Sequence, residues 1–216
     1  MRLDARAIGP AALIMAGIVA QPSVTYSQGF AARLSLGAAA TWEQSTVSGL
    51  DTRRTGLSVN GDAIISFPAI QLRAGYRQAS LNARTAADDR ELIEGRALLG
   101  LRLGRWAVLE AGPMARAYVT SGGGTERWLL WEGSARFETQ LLGPAVKTYV
   151  AFSRVLGGDV TGLRRGQSGE AGLILQPGRS PVWTQLGYSI HQTDLADGLR
   201  VETLQGILFA AGVALR

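Results

Sequence analysis

From Gly29 onward the chain alternates apolar and polar residues with a period of two, the pattern of extended strands with two unlike faces. In the first segment Phe30, Ala32, Leu34, Leu36, Ala38, Ala40 and Trp42 share one face, and Arg33, Ser35, Gly37, Thr41 and Glu43 share the other. In the fourth, Ile93, Ala97, Leu99, Leu101 and Leu103 alternate with Glu94, Arg96, Gly100 and Arg102. The same reading, carried to a last segment in which Val201, Ile207, Phe209, Ala211, Val213 and Leu215 oppose Glu202, Gly206 and Gly212, predicts ten strands. Eight is the alternative count, should one hairpin be misread.

The connections differ in length. Phe67-Pro68-Ala69, Gly104-Arg105, Gly143-Pro144 and residues 177–180 are short, whereas residues 45–53, 84–91, 120–126, 157–166 and 193–198 are longer and polar. Short turns at one rim, long loops at the other and an even strand count describe a transmembrane β-barrel with both termini on the periplasmic side.

Alternation alone does not say which face meets water. A soluble barrel or sandwich hides its apolar face, and a membrane barrel turns that face to lipid. Here the alternation runs for about 10–12 residues per segment, the length a tilted strand needs to cross a bilayer, against about 5–6 in ordinary soluble strands. The apolar faces carry almost no charge, with Arg127 and Arg154 falling toward segment ends. The opposite faces mix Arg and Glu with Gly, Ser and Ala, as a narrow, filled interior demands. A soluble periplasmic β-barrel binding an apolar ligand is the competing arrangement.

The N-terminus adds export. Arg2 and Arg6 introduce an apolar stretch over residues 7–20, too short to cross a bilayer as a helix and suited to a signal-peptide core. Cleavage after Ala20 or Ser27 would divide the chain into a signal peptide over residues 1–27 and a barrel domain over 28–216. Beyond Gln28 no apolar run reaches the length of a membrane helix.

Composition narrows the reading. With 46% hydrophobic and 18% charged residues and 28 glycines in 216, the chain is too apolar to be disordered and too glycine-rich for a helical bundle. It has no cysteine, which removes disulfides and thiolate metal sites. The net charge is +5, and Lys147 is the single lysine among 22 basic residues. A nearly all-arginine set suits fixed, bidentate pairing with carboxylates; a GC-rich genome produces the same bias.

The signal peptide and the ten alternating segments together resemble the small bacterial outer-membrane β-barrel class, over the whole mature chain. The resemblance implies an all-β, antiparallel transmembrane barrel in the outer membrane, with lipid around it and the barrel-assembly machinery as its partner during insertion. The last strand departs from the usual assembly signal, which ends on an aromatic, by ending Leu215-Arg216.

The charged positions predicted to face inward are Arg33, Asp62, Arg73, Arg77, Glu94, Arg96, Arg102, Glu110, Arg116, Glu132, Arg136, Glu138, Lys147, Glu170 and Glu202. Glu94 and Arg96, and Arg136 and Glu138, are adjacent on one face, and the turn at Gly104-Arg105 would bring Glu110 to Arg102. Such a set either fills the barrel with ion pairs, since unpaired interior charge is costly, or lines a polar conduit. A barrel this narrow has little room beyond its side chains.

Ser189 and His191 share an inward face with Asp194 just beyond, and Asp88 and Asp89 lie across the mouth; hydroxyl, imidazole and carboxylate are the types a nucleophilic site requires. Residues i and i+2 of any strand point alike, so the juxtaposition by itself is unremarkable. The glycine run over residues 121–125 lacks the lysine and helix of a phosphate loop, and Gly157-Gly158-Asp159 lacks the neighbouring carboxylates of a calcium turn. Arg53-Arg54 and Arg164-Arg165 sit at loop bases where lipopolysaccharide phosphates could bind. Trp42, Trp128, Trp131, Phe67 and Trp183 fall near strand ends, as interface anchors do. The function expected is non-enzymatic, a structural or surface-interaction barrel or a narrow passive channel, with no cofactor, metal or nucleic acid. A hydrolase built on Ser189 and His191 is the alternative.

Overall fold

The computed structural model describes residues 30–84, 88–160, 162–178, 180–195 and 200–215; the proposed signal peptide and its cleavage sites lie outside them. The described residues form ten strands: β1 (Ala31–Val47), β2 (Leu50–Ser66), β3 (Ile70–Ala83), β4 (Arg90–Leu103), β5 (Ala107–Thr120), β6 (Thr125–Gln140), β7 (Val146–Gly158), β8 (Arg165–Leu175), β9 (Val182–Leu195) and β10 (Arg200–Leu215). Each pairs antiparallel with its sequence neighbours, and β1 also pairs with β10, from Ala32↔Leu215 to Val47↔Arg200, so the sheet closes on itself. Closure leaves no strand edge unpaired, the condition for a sheet to stand in hydrocarbon. Followed once around the ring, the register drifts by about 12 residues, which tilts the strands by roughly 40°. One register shift occurs in the described ladders, a bulge on β6–β7 at Trp131/Glu132.

The apolar face points outward. Leu36, Leu57, Leu99, Leu101, Leu129, Leu186, Ile207 and Phe209 are all exposed, while Glu94, Glu110, Arg116, Glu132 and Arg136 are buried in the interior. A soluble barrel has the reverse arrangement, so the periplasmic ligand-binding alternative is overturned. The apolar belt covers about ten residue levels, roughly 25 Å of height, as in outer-membrane barrels.

Above the belt the polarity inverts within the same strands. On β3 the outward series Ile70, Leu72, Ala74, Tyr76 gives way to Gln78, Ser80 and Asn82, while the inward series passes from Arg73 and Arg77 to the fully buried Ala79 and Leu81. The strands therefore continue past the membrane as a barrel with a polar outside and an apolar inside. This corrects the expected loops. Strands β1 and β2 run on to Val47 and Leu50 and join through Ser48 and Gly49, whose φ values of 49° and 86° make a tight turn suited to the twist of a hairpin. Strands β5 and β6 leave only residues 121–124 between them, so the contrast between short and long rims largely disappears.

Aromatic side chains mark the borders of the belt. Toward the rim where β1 begins and β10 ends, Phe67 packs edge-on against Phe30, and Trp106, 56% exposed, stacks on Phe137. At the upper border Tyr76 and Tyr188 donate their hydroxyls to Gln78 and Gln205, and Trp131 faces out. Trp128 and Trp183 are not anchors as expected: at 4% and 7% exposure they point inward, because each occupies the inward phase of its strand.

Candidate functional site: the filled lumen

The lumen is occupied in tiers. Nearest the rim where β1 begins, Arg33 of β1 reaches Glu138 of β6 on the opposite wall at 3.7 Å, and Arg136 Nε donates to Glu138 at 2.9 Å. The Arg136 guanidinium lies 4.1 Å from the Tyr149 ring centroid, and Tyr149 donates its hydroxyl to Glu170 at 2.7 Å. Beside them Arg73 Nε donates to both oxygens of Asp62, at 2.9 and 3.2 Å, and Arg73 Nη1 comes within 3.7 Å of Glu110. Glu110 also accepts from Gln71 at 2.9 Å and Ser134 at 3.2 Å.

Higher up, Arg116 of β5 and Glu94 of β4 form a tight pair. Above it comes an apolar layer of Ala79, Leu81, Leu92, Met114, Tyr118, Trp128, Leu130, Leu195 and Leu204. Tyr118 and Trp128 meet edge to face at 5.3 Å, with Arg90 over Tyr118 at 4.5 Å. A second ionic tier caps this layer. Arg90 of β4 bridges Glu43 of β1 at 2.8 Å and Glu202 of β10 at 3.0 Å, and Arg54 also reaches Glu43. Arg200 of β10 donates to both oxygens of Glu126, on β6, at 2.8 Å each. These contacts join walls several strands apart, across the bore.

The residues singled out in the sequence are distributed as follows. Glu94, Arg96, Glu110, Arg116, Glu132, Arg136 and Glu138 face the interior, and Arg136 pairs with Glu138. Glu94 pairs with Arg116 across the strand and not with Arg96 along it, since facing residues are closer than i, i+2 neighbours. Glu110 does not meet Arg102: the register sets Glu110 opposite Gly100 and Arg102 opposite Val108. Arg102 instead donates to the Phe67 carbonyl at the rim, at 2.9 Å.

Ser189 and His191 do face the lumen, but no hydrogen bond joins them among the described residues. Asp194 lies on the outward phase of β9 and accepts from Gln192 at 3.2 Å, so it cannot orient the imidazole. Asp88 and Asp89 are taken up in the turn before β4, where the Asp88 carbonyl accepts from Arg54 and the Asp89 carboxylate from the Ala83 amide. Asp159 accepts from the Leu129 amide at 2.7 Å, a loop tie rather than a cation ligand, and no metal-binding group of His, Asp or Glu occurs among the described residues. Of Arg53-Arg54, only Arg53 faces outward; Arg54 is buried against Glu43, because adjacent strand residues point to opposite faces.

Sequence reasoning missed the apolar layer and the ionic cap. Their signal was the change of phase after Gln78, where leucine moves from the outward to the inward position.

The chain matches no protein-family model and no curated protein sequence. Its structure is similar to the translocator domain of the autotransporter NalP from Neisseria meningitidis, with 13% identity, a TM-score of 0.44, and coverage of 84% of this chain and 88% of that one. It is also similar to an outer membrane channel from Pseudomonas putida F1, with 8% identity, a TM-score of 0.45, and coverage of 91% and 100%. A third is Ail, the attachment invasion locus protein of Yersinia pestis, with 14% identity, a TM-score of 0.39, and coverage of 86% and 98%. The chain's own surface, apolar to the thickness of a membrane around a charged and filled interior, makes it an outer-membrane β-barrel.

Proposed function

We propose that the protein is a non-enzymatic outer-membrane barrel, closed to solute flow, whose role is structural or lies in contacts made by its protruding rim. The observation that carries this reading is the double seal, ion pairs across the bore at two levels with an apolar, aromatic layer between them. Water and ions would have to displace both. Residues 28–216 would form the mature barrel, inserted by the assembly machinery. Arg53, Arg127 and Arg165, outward above the belt, offer phosphate contacts to lipopolysaccharide.

The test is a planar-bilayer recording of the refolded protein. A flat trace supports the closed barrel; steady conductance would make the protein a narrow passive channel. Hydrolysis of lipid or peptide that is lost in His191→Ala would establish the enzymatic alternative instead.

A further inference from the structure

Between the two seals lies a cavity of about 100 Å³ whose lining includes Asp62, Arg73, Arg77, Glu94, Arg96 and Glu170, together with Asn60, Ser189 and His191. Of its carboxylates, Asp62 is ion-paired with Arg73 and Glu94 with Arg116, while Glu170 accepts only the neutral Tyr149 hydroxyl. Two of its arginines have no ion pair either. Among the described residues neither Arg77 nor Arg96 has a carboxylate within ion-pair distance. Arg77 is only 9% exposed, and its Nε is buried without an acceptor. Glu132, a buried carboxylate that also lacks an ion pair, does not line the cavity.

Arg77 and Arg96 stand on neighbouring strands. Arg77 faces Glu94 and Arg96 faces Gly75, so the two arginines are diagonal neighbours on the inner face, about 7–8 Å apart at their backbones. We propose that this cavity binds a small inorganic anion, a halide or compact oxoanion, clamped between the guanidinium groups of Arg77 and Arg96.

The two guanidinium groups repel each other, and the nearby carboxylates, Glu94 opposite Arg77 and Glu170 on the cavity wall, offset that charge without reaching either arginine as an ion pair, leaving the buried Arg77 Nε without an acceptor. Water admitted to the cavity would supply hydrogen bonds but would not neutralise them. An anion does both, and arginine presents the donors it needs in a fixed fork. The Ser189 hydroxyl and the Asn60 amide on the same wall are neutral donors of the kind that complete an anion's shell.

The full mature protein, refolded in detergent with gluconate (too large for the cavity) as the only anion, is compared with the same protein in sodium bromide and in sodium phosphate at equal ionic strength. The unfolding midpoint should rise in at least one of the two small-anion salts, and Arg77→Gln and Arg96→Gln should each abolish the rise. Should Arg77→Gln fail to fold, Arg96→Gln carries the comparison. Crystals grown with bromide or selenate should show an anomalous peak between Arg77 and Arg96. A midpoint indifferent to the anion, a rise that survives in the variants, or a cavity holding only water overturns the proposal.

Discussion

Arg116 holds one carboxylate oxygen of Glu94 from two nitrogens, Nε at 2.9 Å and Nη2 at 2.6 Å, with both side chains buried and their backbones directly paired across β4 and β5. The pair lies just beneath the apolar layer, beside the interior cavity, with both side chains buried. Glu94→Ala should therefore lower unfolding stability by about 3–5 kcal/mol, the usual cost of stranding one member of a buried pair. Urea titration of the variant and wild type in lipid vesicles measures it.

Glu110→Ala should cost less than Glu94→Ala. The nearest cation, Arg73, is 3.7 Å from Glu110 and stays bonded to Asp62 when Glu110 is removed. What is lost is mainly the acceptor for Gln71 and Ser134, about 1–3 kcal/mol for buried donors left without one. The same titration ranks the two variants, and a reversed order would mean the interior charges are shared otherwise than drawn here.

The outward face offers a test of where the membrane ends. Leu99, 57% exposed on β4, lies in the middle of the belt, and Leu99→Arg should destabilise the folded barrel by about 2–4 kcal/mol. Ser80 also faces outward but above the belt, and Ser80→Arg should be neutral within about 0.5 kcal/mol. Equal effects in refolding assays would move the border.

The inverted upper barrel makes a prediction of its own. Leu130 is fully buried in the apolar layer and its neighbour Leu129 faces out. Leu130→Ala should cost about 2–5 kcal/mol, the range for cavity-forming core substitutions, and Leu129→Ala under about 1 kcal/mol.

The faces of the strands were legible because alternation is a local property: Leu34 and Leu36 outside, Arg33 and Ser35 inside, follow from one segment alone. The partners of the charges were not, because Glu94 meets Arg116 through a register that only the assembled sheet sets. The mistaken loops had another cause. A belt-facing strand and its extension into water follow opposite hydrophobic phases, so residues 45–47 and 50–53 read as loop when they continue β1 and β2. Trp128 and Trp183 were misread for a similar reason. Proximity to a strand end suggested an interface, whereas their phase along the strand put them inside.

Export is tested in cells. The protein should be recovered in the outer-membrane fraction and should migrate differently on gels before and after heating. N-terminal sequencing of the recovered protein should begin at Gln21 or Gln28. Soluble recovery without detergent, or an intact Met1, would contradict the proposed export and processing.

The hairpin joining β1 and β2 at Ser48 and Gly49 carries hydrogen-bonded ladder to its very tip. Whatever meets this rim meets a surface whose shape is settled beforehand. Little backbone entropy is left to lose on contact, so modest contact areas can yield useful affinity, at the expense of tolerance for partners of a different outline.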